Sequence, residues 1–223
     1  MKTKIFLILT IVFVFSLCVN ATNITFTSSD SIVNGNVFYL VQVLNDGTTI
    51  NMSGGQIYSL STYNSSVFNM SGGQVQYSIH TGNLTTLNIS GGTIVATNFE
   101  FGGNATISGG NITGNGKFVG HTVITGGNTN LSWLGIYGTL NISGGLLNVT
   151  DVYVAGSSPI NISCLDYAYN PTTKILTGHL LDNNIFTIAG IDSSEYTKFN
   201  LIPEPMSVLL WGFGLLALRK SKK

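Results

Sequence analysis

The stretch Asn51-Met52-Ser53-Gly54-Gly55-Gln56-Ile57 decides the fold, because the chain keeps returning to it. An aliphatic residue or Met, then Ser or Thr, then two glycines recur at Met70-Ser71-Gly72-Gly73, Ile89-Ser90-Gly91-Gly92 and Ile107-Ser108-Gly109-Gly110. Two further copies are Ile124-Thr125-Gly126-Gly127 and Ile142-Ser143-Gly144-Gly145. The first glycines of the six copies, Gly54, Gly72, Gly91, Gly109, Gly126 and Gly144, stand 18, 19, 18, 17 and 18 residues apart. A fixed period of this size marks a solenoid, each repeat being one coil stacked on the last.

The columns around the glycines say which solenoid. Two positions before each first glycine stand Met52, Met70, Ile89, Ile107, Ile124 and Ile142, all apolar. Three positions after it stand Ile57, Val75, Ile94, Ile112, Thr129 and Leu147, apolar but for one. Four before it stand Ile50, Phe68, Leu87, Ala105, Thr122 and Leu140. Ile50-Asn51-Met52-Ser53 therefore alternates inward and outward, the period of a half-buried strand and not of a helix. The Gly-Gly pair permits positive φ at a corner, after which a second strand begins. One coil cannot bury its own apolar face, whereas stacked coils can, with strand hydrogen bonds along the axis at about 4.8 Å per coil. The expected fold class is all-β: a single-stranded parallel β-helix of right-handed sense, about seven coils and roughly 35 Å long on that spacing.

Composition narrows the function. With 43% hydrophobic residues, 27 glycines and 8% charge in 223 residues, the chain is too apolar for disorder and too charge-poor for a typical cytosolic enzyme. The net charge of zero hides an uneven distribution, since six of the nine basic residues sit at the two ends. Between Ala21 and Ile202 stand three lysines against eight carboxylates, a net of −5, and no arginine. Phosphate binding needs clustered cations, so a nucleic-acid partner is not expected.

Residues 1–21 have a basic start (Lys2, Lys4), an apolar run from Ile5 to Val19, and Ala21 as a small residue suited to cleavage. This composition reads as a secretory signal helix; a retained anchor is the rival, with a run short for a span. Residues 22–162 read as the β-helix, opened by a degenerate coil at Ile32-Val33-Asn34-Gly35, and residues 163–201 as a C-terminal β cap. Within the cap, Ile175–Leu180 and Ile185–Ile188 read as a hairpin joined through Asp182-Asn183-Asn184.

Residues 202–223 carry Pro203-Glu204-Pro205, an apolar run from Met206 to Leu218, and the basic tail Arg219, Lys220, Lys222 and Lys223. In order, spacing and position this resembles the PEP-CTERM sorting signal of bacterial exported proteins, with Met206 where Ser or Thr is common. The resemblance implies export, an exosortase-type processing enzyme as partner, transient anchoring in the inner membrane by a C-terminal transmembrane helix, and delivery to the cell surface or matrix beside exopolysaccharide. The same segment is also labelled an ice-binding-protein C-terminal domain in some family collections. Thirteen apolar residues make only about 20 Å of helix, so snorkelling of Arg219 and Lys220 would have to narrow the gap to the bilayer core.

Chemistry on the coils is sparse. Parallel β-helices often host polysaccharide lyases and glycosidases, which need paired carboxylates, or carboxylates on a metal with a basic residue. From Gly47 to Thr150 the only charged residues are Glu100 and Lys117, which read as a salt bridge between adjacent coils. Asp166, Asp182, Asp192 and Glu195 are scattered over cap and turns. His80, His121 and His179 fall at different offsets from the glycine, so no metal and no cofactor is expected. Cys18 lies in the leader, leaving Cys164 as a small buried residue at the end of the ladder, and no disulfide. Asn-x-Ser/Thr, with x not Pro, occurs thirteen times, including at Asn51, Asn69, Asn88, Asn141 and Asn161, and reads as a hydrogen-bonded ladder more than as glycosylation acceptors.

Three functions compete. The first is a non-catalytic exported surface or matrix rod that presents a polar Asn/Ser/Thr face, associated with exopolysaccharide. The second is a glycan- or ice-binding module, the column Thr49, Val67, Thr86, Asn104, His121, Thr139 being a broken version of the flat Thr array that ice binding needs. The third is a degenerate polysaccharide lyase or glycosidase.

Overall fold

The computed structural model describes residues 21–203. The first strands of successive coils set the pattern: β1 (Thr22–Phe26), then the short β2 (Asp30–Ile32), then the long β3 (Val37–Val43) and the short β4 (Thr49–Met52). The alternation continues through β5 (Gln56–Thr62), β6 (Val67–Met70), β7 (Gln74–Thr81), β8 (Thr86–Ile89), β9 (Thr93–Phe101), β10 (Asn104–Ile107) and β11 (Asn111–Phe118). In β12 (His121–Ile136) and β13 (Thr139–Val149) the short and long strands of one coil fuse.

From β1 to β10 each strand pairs in parallel with its counterpart one coil away and not with its neighbour in sequence, and β11, β12 and β13 continue the parallel pairing from coil to coil. The long strands carry register irregularities, for example between Val75 and Ser78, and these divide them into two faces. Each coil thus has three faces: the short strand, the first part of the long strand, and its second part.

The expected core columns are columns. Met52 pairs with Met70, Met70 with Ile89, Ile89 with Ile107, Ile107 with Ile124, and Ile124 with Ile142. None of these six is more than 1% exposed, and Ile32 extends the column below them. Ile57, Val75, Ile94, Ile112, Thr129 and Leu147 form the second column in the same way. Phe99, Phe101 and Phe118 fill the shaft behind the third face, their rings 4.8, 5.7 and 5.6 Å apart.

The corner has the positive φ expected of the Gly-Gly pair, with the two glycines in different roles. Positive φ belongs to the second glycine, from Gly55 at 75° to Gly145 at 84°. The first glycine is needed for room: a Cβ at Gly72, Gly91, Gly109, Gly126 or Gly144 would lie 2.3–2.5 Å from the Ser or Thr carbonyl oxygen of the coil below. Coils stacked this closely tolerate no side chain there.

The asparagines form the ladder expected of them. Asn69 Nδ2 donates to Asn51 Oδ1 at 2.9 Å, Asn88 to Asn69 at 2.8 Å, and Asn161 to Asn141 at 2.7 Å. Thr106 and Val123 stand in the same column between the two runs.

Two buried hydroxyls go against the pattern. Thr122 and Thr129 are 0% exposed, and their Oγ1 atoms have no hydrogen-bond partner. Valine matches threonine in shape without the desolvated hydroxyl. Thr122→Val and Thr129→Val are each expected to raise stability by about 1 kcal/mol, read as a higher urea midpoint at unchanged slope.

Beyond β14 (Val152–Val154) the chain runs into β15 (Ile160–Asn170), β16 (Ile175–Leu180), β17 (Ile185–Ile188), the four-residue helix α1 (Ser193–Tyr196) and β18 (Phe199–Pro203). The hairpin β16–β17 is present, and β15 pairs antiparallel with β16. Yet β17 lies parallel on β13, Phe186 over Leu147, and β18 lies parallel on β15, Phe199 over Ile160. The cap therefore supplies two further coil strands through an antiparallel excursion. Cys164 is buried, and burial pushes its thiol pKa up.

Asp182 ties the excursion to the last repeat. It accepts from the Gly145 N–H at 2.5 Å and from the Asn184 side chain at 2.8 Å. Burial pushes the carboxyl pKa up, but these hydrogen bonds outweigh it and hold the pKa below its ordinary value. A depressed carboxyl contributes stability above its unfolded-state pKa of about 4 and loses it as pH falls through the folded value. Asp182→Ala is expected to cost about 1 kcal/mol near neutral pH and nothing near pH 2, measured as urea midpoints across pH.

One part of the expected architecture is corrected. Among the described residues no helix is long and apolar enough to cross a membrane. The described chain ends in a strand: Ile202 and Pro203 continue β18 and pair with Ser163 and Cys164. The runs read as a signal helix (5–19) and a transmembrane helix (206–218) lie outside the described residues. The transmembrane element, the inner-membrane partner and the membrane-anchored transit inferred from it are withdrawn.

Candidate functional site

The third face gathers the large exposed side chains. Its outward column runs Ser61, His80, Glu100, Lys117, Gly135, Tyr153, residues paired coil to coil. Glu100 and Lys117 are thus neighbours in register, as their spacing suggests, but the expected salt bridge is not the contact made. Glu100 Oε1 lies 3.8 Å from His80 Nδ1, and Lys117 Nζ sits 5.8 Å from the centre of the Tyr137 ring.

Gly135 makes the site. A Cβ on it would lie 2.7 Å from the Trp133 ring and 2.8 Å from the Tyr137 ring. With no side chain there, the indole and the phenol close over the strand and bury the glycine beneath them. Tyr153 stands in the next coil, its ring 5.8 Å from that of Tyr137. Tyr137 is 43% and Tyr153 47% exposed.

The cap provides the opposite wall. An open groove of about 600 Å³ runs between the three rings and Asp151, Asp192 and Glu195. Lys174, also in its lining, pairs with Asp192 at 2.5 Å, which raises the lysine pKa. Glu195 is tied to the backbone: it accepts from the Val154 N–H at 3.2 Å and from the Asp192 N–H at 3.3 Å, the latter in a capping box for α1. Tyr169 and Tyr196 stack at 4.0 Å behind this wall, and Tyr169 donates to the Ile191 carbonyl at 2.9 Å.

Rings presenting apolar faces beside carboxylate acceptors suit a ligand that is apolar on its C–H faces and rich in hydroxyl donors at its rim. Of the three carboxylates in the lining, Asp192 pairs with Lys174 and Glu195 accepts from two backbone donors.

Other residues singled out from sequence lie elsewhere. His121 belongs to the column Thr49, Val67, Thr86, Asn104, His121, Thr139, which is in register but chemically broken by Val67 and His121. His179 is on the cap, its Nδ1 2.8 Å from Asp166 Oδ1, and this hydrogen bond lowers the Asp166 pKa. Among the described residues no group of His, Cys, Asp or Glu is arranged to hold a metal. Pro203 ends β18, while Glu204, Pro205, Arg219, Lys220, Lys222 and Lys223 lie outside the described residues. Trp133, Tyr137 and Tyr153 were not singled out from the sequence; their only local signal is Gly135 between two aromatics in an alternating strand.

No family model, no curated protein and no solved structure matches this chain. The fold is an all-β parallel β-solenoid with coils of about 18 residues. The likeness of the C-terminal motif to a sorting signal has no family match behind it, and the exosortase partner is withdrawn.

Proposed function

We propose that this chain is a non-catalytic, exported β-solenoid that binds polysaccharide outside the cell. The observation that carries this reading is the groove in which Trp133 and Tyr137 close over Gly135 and, with Tyr153, face a wall of carboxylates. Sugar rings pack their C–H faces on such aromatics, and their hydroxyls donate to Asp151 and Asp192 at the rim. The low charge of the coils favours a neutral polymer over an acidic one. The ice-binding alternative gains nothing from the first face, whose asparagine amides are spent on one another.

Retardation of the full chain in native gels cast with hydroxyethyl cellulose, xylan, β-1,3-glucan, alginate or chitosan tests the reading. Retention in at least one neutral gel is expected, without release of reducing ends. Trp133→Ala should weaken it on the order of tenfold or more, as aromatic anchors do, while Trp133→Phe retains most of it. No retention in any gel would sink the proposal, and turnover would revive the enzyme reading.

A further inference from the structure

A second set of exposed rings stands on the same side of the rod, and the groove does not account for it. Tyr39 and Tyr58 stand one above the other at the edge where the second face turns into the third, and Tyr77 follows in the next coil at the register break opposite Tyr58; the three are 59%, 40% and 60% exposed. The rings of Tyr39 and Tyr58 stack 5.9 Å apart at 28°. Beside them an open depression of about 460 Å³ is lined by Val37 and Gln56. Exposed rings grouped in successive coils make a patch of the kind that marks an interaction site.

The register shows where the column leads. Directly beside it runs the outward series Ser59, Ser78, Asn98, which Asn115 and Trp133 continue in later coils. Thr97, Asn98 and Asn115 are exposed and uncharged, so the path from the tyrosines to the indole carries hydroxyls and amides. Tyr77 and Trp133 are three coils apart, about 14 Å at the spacing of paired strands. Tyr39 and Tyr153 are six coils apart, about 29 Å.

We infer that the tyrosine ladder is a second subsite for the same neutral polysaccharide, with one extended chain lying along the rod axis from the ladder to the groove. The inference rests on the groove reading. The occupant is a continuation of that chain because the two aromatic sites lie along the axis and are joined by short hydrogen-bonding side chains, with one carboxylate and one ammonium, Glu100 and Lys117, in the column alongside. A rigid solenoid holds both sites at fixed spacing, so the second contact is made at high effective concentration.

The test uses the full chain and the neutral polymer that retards it most, with its oligosaccharides of two and of eight residues titrated by calorimetry. The octasaccharide is expected to bind at least tenfold more tightly than the disaccharide. The triple variant Tyr39→Ala, Tyr58→Ala, Tyr77→Ala should lose that gain and keep the disaccharide affinity. All three rings are exposed, so its melting temperature should stay near that of the parent; the matching Tyr→Phe triple variant, which keeps the rings, should retain the gain. Equal affinity at both lengths, or a ladder variant indistinguishable from the parent, overturns this inference and leaves the groove reading standing. If Trp133→Ala has no effect while the ladder variant abolishes binding, the groove reading falls instead, and with it the path between two subsites. A parent chain that binds no saccharide overturns both.

Discussion

Alanine at Gly73 is expected to destabilise the rod by about 3 kcal/mol, from two causes that can be separated. At φ 79° an L side chain is strained, and its Cβ would stand 2.5 Å from the Gly54 carbonyl oxygen of the coil below. Left-handed strain costs about 1–2 kcal/mol and overpacking against fixed backbone a similar amount. Gly47 separates the two terms. Its φ is 72°, but nothing lies within 4 Å of the position a Cβ would take. Gly47→Ala should therefore cost only about 1 kcal/mol. Urea midpoints of the two variants decide the matter; equal losses would mean that the Gly-Gly corner is set by backbone conformation and not by the closeness of the coils.

Phe118→Ala is expected to cost about 3–5 kcal/mol, the usual penalty for emptying a fully buried aromatic site. The ring is 0% exposed and lies 5.7 Å from Phe99 and 5.6 Å from Phe101. Collapse cannot repair the loss easily, because Gly116 in the same strand already leaves its space to the Phe99 ring. A solenoid is coupled only through neighbouring coils, so a lesion in mid-stack weakens the link between its two ends. In a Trp211→Phe background, unfolding followed by Trp133 fluorescence and by far-UV dichroism should then cease to coincide. Coincident transitions at a reduced midpoint would show that the stack stays cooperative across the gap.

Much of the fold could be read along the chain because a solenoid repeats one local rule. Met52, Met70, Ile89, Ile107, Ile124 and Ile142 had to share a column if the period held, and the strand pairing puts them in one. The asparagine ladder followed from the same period. The two roles within each Gly-Gly pair did not, since nothing local tells which glycine takes positive φ and which lies against the coil below. The cap was legible as a hairpin, but the return of β17 and β18 to parallel register was not. That return satisfies the strands of the last coil, a demand set by the stack and invisible in residues 163–201 themselves.

The groove marks the same boundary. Tyr39, Tyr58 and Tyr77 are spaced 19 residues apart and could have been found by the period alone. Trp133 and Tyr153 are 20 residues apart and stand in different columns, and Lys174, Asp192 and Glu195 reach them from the cap. By itself the sequence determined the coil, its period and its dry columns, because strand alternation and a glycine corner are short-range matters repeated many times. Only the tertiary structure decided which side chains meet at the surface. Bulges slip the register of the long strands, and the cap folds back across several coils, so neighbours there are set by stacking and not by spacing.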